Sequence, residues 1–176
     1  GTNFFFKFAT IQIVIKDNVL TLAVKLFPRR KSLVQIVHEL VKTAKRYVKV
    51  KALLLDRGFR DVKILNNLEF LKIPMLMPCI KDKKTRKEFE KATHKFHVVK
   101  YWWRNVKGEY ADFKLMMMKL DNGKEIGFYT TLRFVWLRTA KYYLNLYAKR
   151  WNIETGYRLQ KLFLPKTTCV EGVVRY

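Results

Sequence analysis

Cysteine is nearly absent: Cys79 and Cys169 are the only two in 176 residues, far apart and outside any CxxC pair. This disfavours a disulfide framework and a cysteine-based zinc site, and it fits a reduced, intracellular setting. Proline, with 4 residues, and glycine, with 7, are too sparse to build a flexible or stiff linker, and no internal repeat is visible. No stretch of 18 or more uncharged apolar residues occurs. The longest apolar runs, such as Ile73 to Ile80, are of strand length and carry prolines, so a spanning helix and a membrane role are not expected. The first residue is Gly1, followed by a β-type run with no charged segment and no small-residue cleavage pattern, so no signal peptide is expected and the start reads as internal to a longer chain. Acids are the scarcest class, 14 Asp and Glu against 37 Lys and Arg. The resulting charge of +23 coexists with 49% hydrophobic residues, which excludes a disordered basic tail and predicts a folded domain that seeks polyanions. A surplus spread along the whole chain suits a phosphate backbone better than a small acidic substrate, and nucleic acid leads as partner.

What is present reads as a mixed α/β order. Phe4 to Ile15 and Val19 to Leu26, rich in aromatic and β-branched residues around Lys16-Asp17-Asn18, predict a β-hairpin. Ser32 is placed to cap a helix whose apolar residues Leu33, Ile36, Val37, Leu40, Val41 and Ala44 recur at three and four. Val50 to Asp56 reads as a buried strand ending in a carboxylate, Asp61 to Leu71 as a second helix and Ile73 to Cys79 as a short strand. The charged stretch Lys81 to Lys91 shows no apolar periodicity and is expected to be an exposed excursion. Three β-type segments follow, His97 to Trp103, Asp112 to Leu120 and Glu125 to Thr131, the last two joined by the hairpin signal Asp121-Asn122-Gly123. Thr139 to Phe163 predicts one long helix or two consecutive ones, ended by Pro165. The organisation is therefore residues 1–80, 81–135 and 136–176: a first α/β part, a basic β-rich insertion and a C-terminal helical part.

Two carboxylates draw attention. Asp56 stands at the end of an apolar strand before Gly58, where α/β folds commonly place ligand-binding groups; a helix cap or a partner for Arg57 is the alternative. Glu154 lies in YAKRWNIETGYRLQK, where an ion pair with Arg150 or Arg158 is the alternative. Tyr147, Arg150, Glu154 and Lys161 follow a Y-x2-R-x3-E-x6-K spacing that puts all four on one helical stripe. Arg offers a planar fork to phosphate, Lys a point charge and Tyr a hydroxyl, beside one hard oxygen ligand. His94 and His97 lack the companions of a zinc set, and His38 reads as a boundary residue. Of Trp102 and Trp103, one must face the core, while the other is free to stack on a base. Met116 to Met118 reads as strand core.

These residues carry a resemblance. LLLDRGF, Leu53 to Phe59, and YAKRWNIETGYRLQK resemble the second catalytic Asp and the signature helix of DDE transposases of insertion sequences, in the branch with the YREK signature. The resemblance covers nearly the whole chain. It implies an RNase H-like mixed sheet flanked by helices, with a β-rich insertion between the second Asp and the Glu. It also implies two Mg2+ ions, replaceable by Mn2+, on Asp56 and Glu154, and transposon-end phosphates held by Tyr147, Arg150 and Lys161. Arg57, Arg158, Trp102 and Trp103 join them as expected DNA contacts. The family's first Asp, on a core strand ahead of the hairpin, is not found here, since Asp17 lies in a turn; the chain is expected to be a truncated copy with impaired catalysis. A homodimer and a cytoplasmic, or in a prokaryote nucleoid-associated, location are further expectations. The alternatives are a non-catalytic basic DNA- or RNA-binding module and a basic structural protein.

Overall fold

Apolar residues alternate with period two in the first segment and from 96 to 130, and recur at three and four between 33 and 47; these periods set the elements of the computed structural model, which describes residues 8–15, 18–26 and 31–148. Strands β1 (Phe8–Ile15) and β2 (Asn18–Leu26) pair antiparallel, with a register shift between Ile11 and Gln12. Helix α1 (Leu33–Tyr47) follows, opened by a full capping box: the Gln35 amide donates to Ser32 Oγ at 3.3 Å and the Ser32 amide to Gln35 Oε1 at 2.8 Å. Its buried stripe is Ile36, Val37, Leu40, Val41 and Ala44, and each large side chain there stabilises the fold by roughly 1.5–3 kcal/mol.

Strand β3 (Leu53–Leu54), a 3-10 turn (Arg57–Phe59), helix α2 (Val62–Phe70) and strand β4 (Met75–Pro78) form a parallel β-α-β unit in which Leu53 pairs with Met75 and Leu54 with Leu76. The strand expected over Val50 to Asp56 is thus reduced to two residues. It is an edge strand with β4 as its one neighbour, so nothing on the other side extends the ladder among the described residues.

The segment read as an exposed charged excursion is a helix, α3 (Lys83–Lys91). Seven of its nine residues are charged, and the signal is one buried pair at i and i+4, Thr85 and Phe89, together with the cap Asp82, whose Oδ1 accepts from the Thr85 amide at 2.9 Å. Phe89 packs where a Cβ on Gly127 would come within 2.8 Å of its ring, so the glycine is required for this close approach.

Strands β5 (Phe96–Arg104), β6 (Tyr110–Lys119) and β7 (Glu125–Thr130) are antiparallel. The turn expected at Asp121-Asn122-Gly123 is present, with Gly123 at φ +77°. Strand β7 also pairs antiparallel with β4, so the β-rich block continues the same sheet in the order β3-β4-β7-β6-β5. One face, with Met75, Met77, Phe113, Leu115, Met117 and Tyr129, packs against α1 and α2. The other, with Leu76, Met116, Met118 and Phe128, packs against helix α4 (Leu137–Ala148). The expected core role of Met116 to Met118 holds, split between the two faces. Helix α4 is the start of the long helix expected over Thr139 to Phe163; the rest lies outside the described residues. Among the described residues no helix is long and apolar enough to cross a membrane.

Candidate active site

The parallel pairing of β3 with β4 puts their carboxyl ends side by side, and Asp56 stands at that edge. The Leu55 amide donates to the Leu76 carbonyl at 2.9 Å and is the last ladder bond before it. The chain then turns sharply: the Asp56 carbonyl accepts from the Phe59 amide at 3.0 Å and Asp56 Oδ1 from the Arg57 amide at 2.7 Å. Asp56 therefore does cap a short turn, yet the side chain is exposed, and one carboxylate oxygen accepts no hydrogen bond among the described residues. Arg57 is exposed beside it.

Tyr147, expected on the phosphate-facing stripe, is buried. Its ring meets Phe128 edge-on at 5.2 Å, and its hydroxyl donates to the Leu55 carbonyl at 3.2 Å. Tyr147 is thereby attached to the backbone one residue ahead of Asp56, across 92 positions of sequence. Arg150, Glu154, Arg158 and Lys161 lie outside the described residues.

A groove of about 620 Å³, which Asp56 itself does not line, is bounded by Arg60, Lys63, Lys84 and Arg104 and by residues 101–103. Arg60 pairs with Asp82 at 3.0 Å and stacks 4.7 Å over Trp103; Lys84 Nζ lies 3.8 Å over Trp102 and 4.4 Å over Tyr101. The two tryptophans divide as expected from strand alternation: Trp103 is buried and Trp102 is half exposed. Trp103 Nε1 is buried with no hydrogen-bond partner among the described residues, an indole donor left unsatisfied at the groove. The sequence alone does not single out Arg60, Asp82 and Lys84, because only the tertiary fold brings the turn after β3, the cap of α3 and the end of β5 together.

Beneath the groove, Thr85 Oγ1 links the Tyr101 and Tyr129 hydroxyls at 3.0 and 3.1 Å. Burial pushes the Tyr101 phenol up to about 12 and the Cys79 thiol up to about 11. His38 is half-buried and bonds Asn67 at 2.9 Å, joining α1 to α2. No group of three or more His, Cys, Asp or Glu forms a metal cluster among the described residues.

A mixed five-stranded sheet with helices on both faces and a carboxylate at the end of its parallel pair defines a mixed α/β fold. The family model described as the transposase DDE domain matches residues 2–167, and the chain belongs to that family. The architecture is consistent with an RNase H-like transposase domain. No curated protein matches the chain.

Proposed function

We propose that the chain is the catalytic domain of a DNA transposase of the YREK branch, which hydrolyses phosphodiester bonds and transfers strands at transposon ends. The observation that supports this best is the bond from Tyr147 to the Leu55 carbonyl, since it joins the start of the signature helix to the strand that ends in Asp56. Proteins of this family use a divalent metal, and the donor chemistry suits one: Asp56 offers a hard oxygen at an exposed strand end, and Glu154 is the second carboxylate of this reading. Bound there, Mg2+ or Mn2+ supplies Lewis-acid activation of an oxygen nucleophile and charge stabilisation of the leaving oxygen. The chain's own residues do the positioning. The turn amide at Arg57 orients the Asp56 carboxylate; Arg57, Arg150, Arg158 and Lys161 hold phosphates; Trp102, in the basic groove with Trp103, offers a stacking face to a base. The three-acid chemistry of such enzymes needs a carboxylate beyond these two, so this chain cuts slowly by itself. A homodimer and a place in the cytoplasm or nucleoid accompany the reading.

Nicking of supercoiled plasmid with Mg2+ or Mn2+ tests it, comparing the chain with Asp56→Asn and Glu154→Gln. Loss of metal-dependent nicking with DNA binding retained is the expected result. Equal nicking by all three would overturn the roles of the two acids. No nicking by any of them, unrelieved by an added upstream strand bearing an Asp, would leave a binding module in place of the enzyme.

A further inference from the structure

The parallel unit has a second edge, and its charge is one-sided. The C-terminal ends of α1 and α2 and the starts of β3 and β4 all lie at the edge opposite Asp56. Lys45 Nζ donates to the Leu71 carbonyl at 3.2 Å, which ties the two helix ends into one surface. Residues 42–51 and 69–72 carry six cations there, Lys42, Lys45, Arg46, Lys49, Lys51 and Lys72, all exposed, against one acid, Glu69. None of the six pairs with a carboxylate among the described residues. Two aromatic side chains, Tyr47 at 70% and Phe70 at 79% exposure, stand beside them.

Cations at a helix C-terminus offset its dipole, and this accounts for Lys45 and Arg46 in the last turn of α1. It does not account for Lys49 and Lys51 beyond that helix, nor for Lys72. Lys72 follows α2 at φ 55°, the left-handed position where glycine is the favoured residue, and its amide still closes the helix on the Glu69 carbonyl at 2.8 Å. Lys72 thus presents its charge from a backbone position that favours glycine.

We propose that this end of the molecule is a second surface for duplex DNA, holding a segment separate from the one presented to Asp56. The identity of the polyanion rests on the transposase reading; the existence of the surface does not. The charge ratio and the unpaired state of the cations match a phosphate backbone, and the protein would then bridge two duplexes from opposite edges of one sheet.

The test uses the full chain with two short duplexes carrying different fluorophores, and reads bridging by energy transfer, oligomeric state by sedimentation, and plasmid nicking. In the triple variant Lys42→Gln, Arg46→Gln, Lys49→Gln, bridging is expected to fall by about tenfold or more, and the slope of log affinity against log salt to become shallower by about 0.9 for each phosphate no longer neutralised. Nicking and oligomeric state stay as in the parent chain. Lys72→Gly is expected to raise Tm, by relieving the backbone, and to weaken bridging, a combination that a purely structural lysine would not give. Unchanged bridging in the triple variant overturns the proposal. So does loss of bridging together with loss of a dimer, which would make the surface a contact between copies, or tighter binding to phosphatidylserine vesicles than to duplex. Absence of nicking in the parent chain with bridging still sensitive to the variants would sink the enzymatic reading and leave this surface standing.

Discussion

Removing the Tyr147 hydroxyl strips the buried Leu55 carbonyl of a donor next to Asp56. Tyr147→Phe is expected to cost about 1 kcal/mol, which lowers Tm by roughly 2–4 °C for a chain of this size, and to reduce nicking with DNA affinity retained. Gly127→Ala is expected to cost about 1–3 kcal/mol in a denaturant titration, because the added methyl would stand 2.5 Å from Cys79 Sγ and 2.8 Å from the Phe89 ring. Burial raises the Tyr101 phenol from 10.0 to about 12 and the Cys79 thiol from 9.0 to about 11. The unfolded chain therefore releases these protons first, and the stability present below the unfolded values is lost as pH climbs through the folded ones. Tm measured from about pH 8 upward should fall on the alkaline side, less steeply in Tyr101→Phe. At this scale the sequence discloses that Asp56 stands at a strand end and that Trp102 and Trp103 divide between surface and core, since strand position and alternation are local. It does not disclose what Tyr147 touches, because that register is set by the packing of α4 against a strand 92 residues away.

Helix α3 is opened by a single capping side chain and held by two buried ones, Thr85 and Phe89. Asp82 caps it through the Thr85 amide and pairs with Arg60, and the turn after β3 thereby meets the segment following β4. Partial burial pushes the Asp82 carboxyl up, but the hydrogen bonds from Thr85 and Arg60 outweigh it and hold it below the usual value. Its contribution is thus present above the ordinary carboxylate range and is lost as pH falls below it. Asp82→Ala is expected to cost about 1 kcal/mol and to speed amide exchange in the first turn of α3, with β5 to β7 unaffected. Helix α1 and the β5 to β7 strands are legible in the sequence because their periods persist for two turns or more, or for several alternations. Helix α3 is not, since two buried positions among seven charges give no period to detect. The shrinkage of β3 likewise follows from its place at the sheet edge, which composition does not encode.

The whole molecule behaves first as a polycation. With +23 spread over it, DNA binding is expected to weaken steeply with salt, by about a thousandfold or more between 50 and 200 mM if six or more phosphates are engaged, as fluorescence anisotropy would read. The five-stranded sheet also divides two apolar cores, so its central strands open only when both faces do. Strand β3 is held on one side by a few bonds, among them those its Leu53 and Leu55 amides donate to the Pro74 and Leu76 carbonyls, and is the part of the sheet nearest to local release. In hydrogen exchange the amides of Leu76, Met116 and Phe128 should report global unfolding, and that of Leu55 a faster, local opening. The Leu55 amide is then a clock for the candidate site: any ligand that settles on Asp56 and holds the strand closed will slow that one proton while leaving the rate of the central strands where it was.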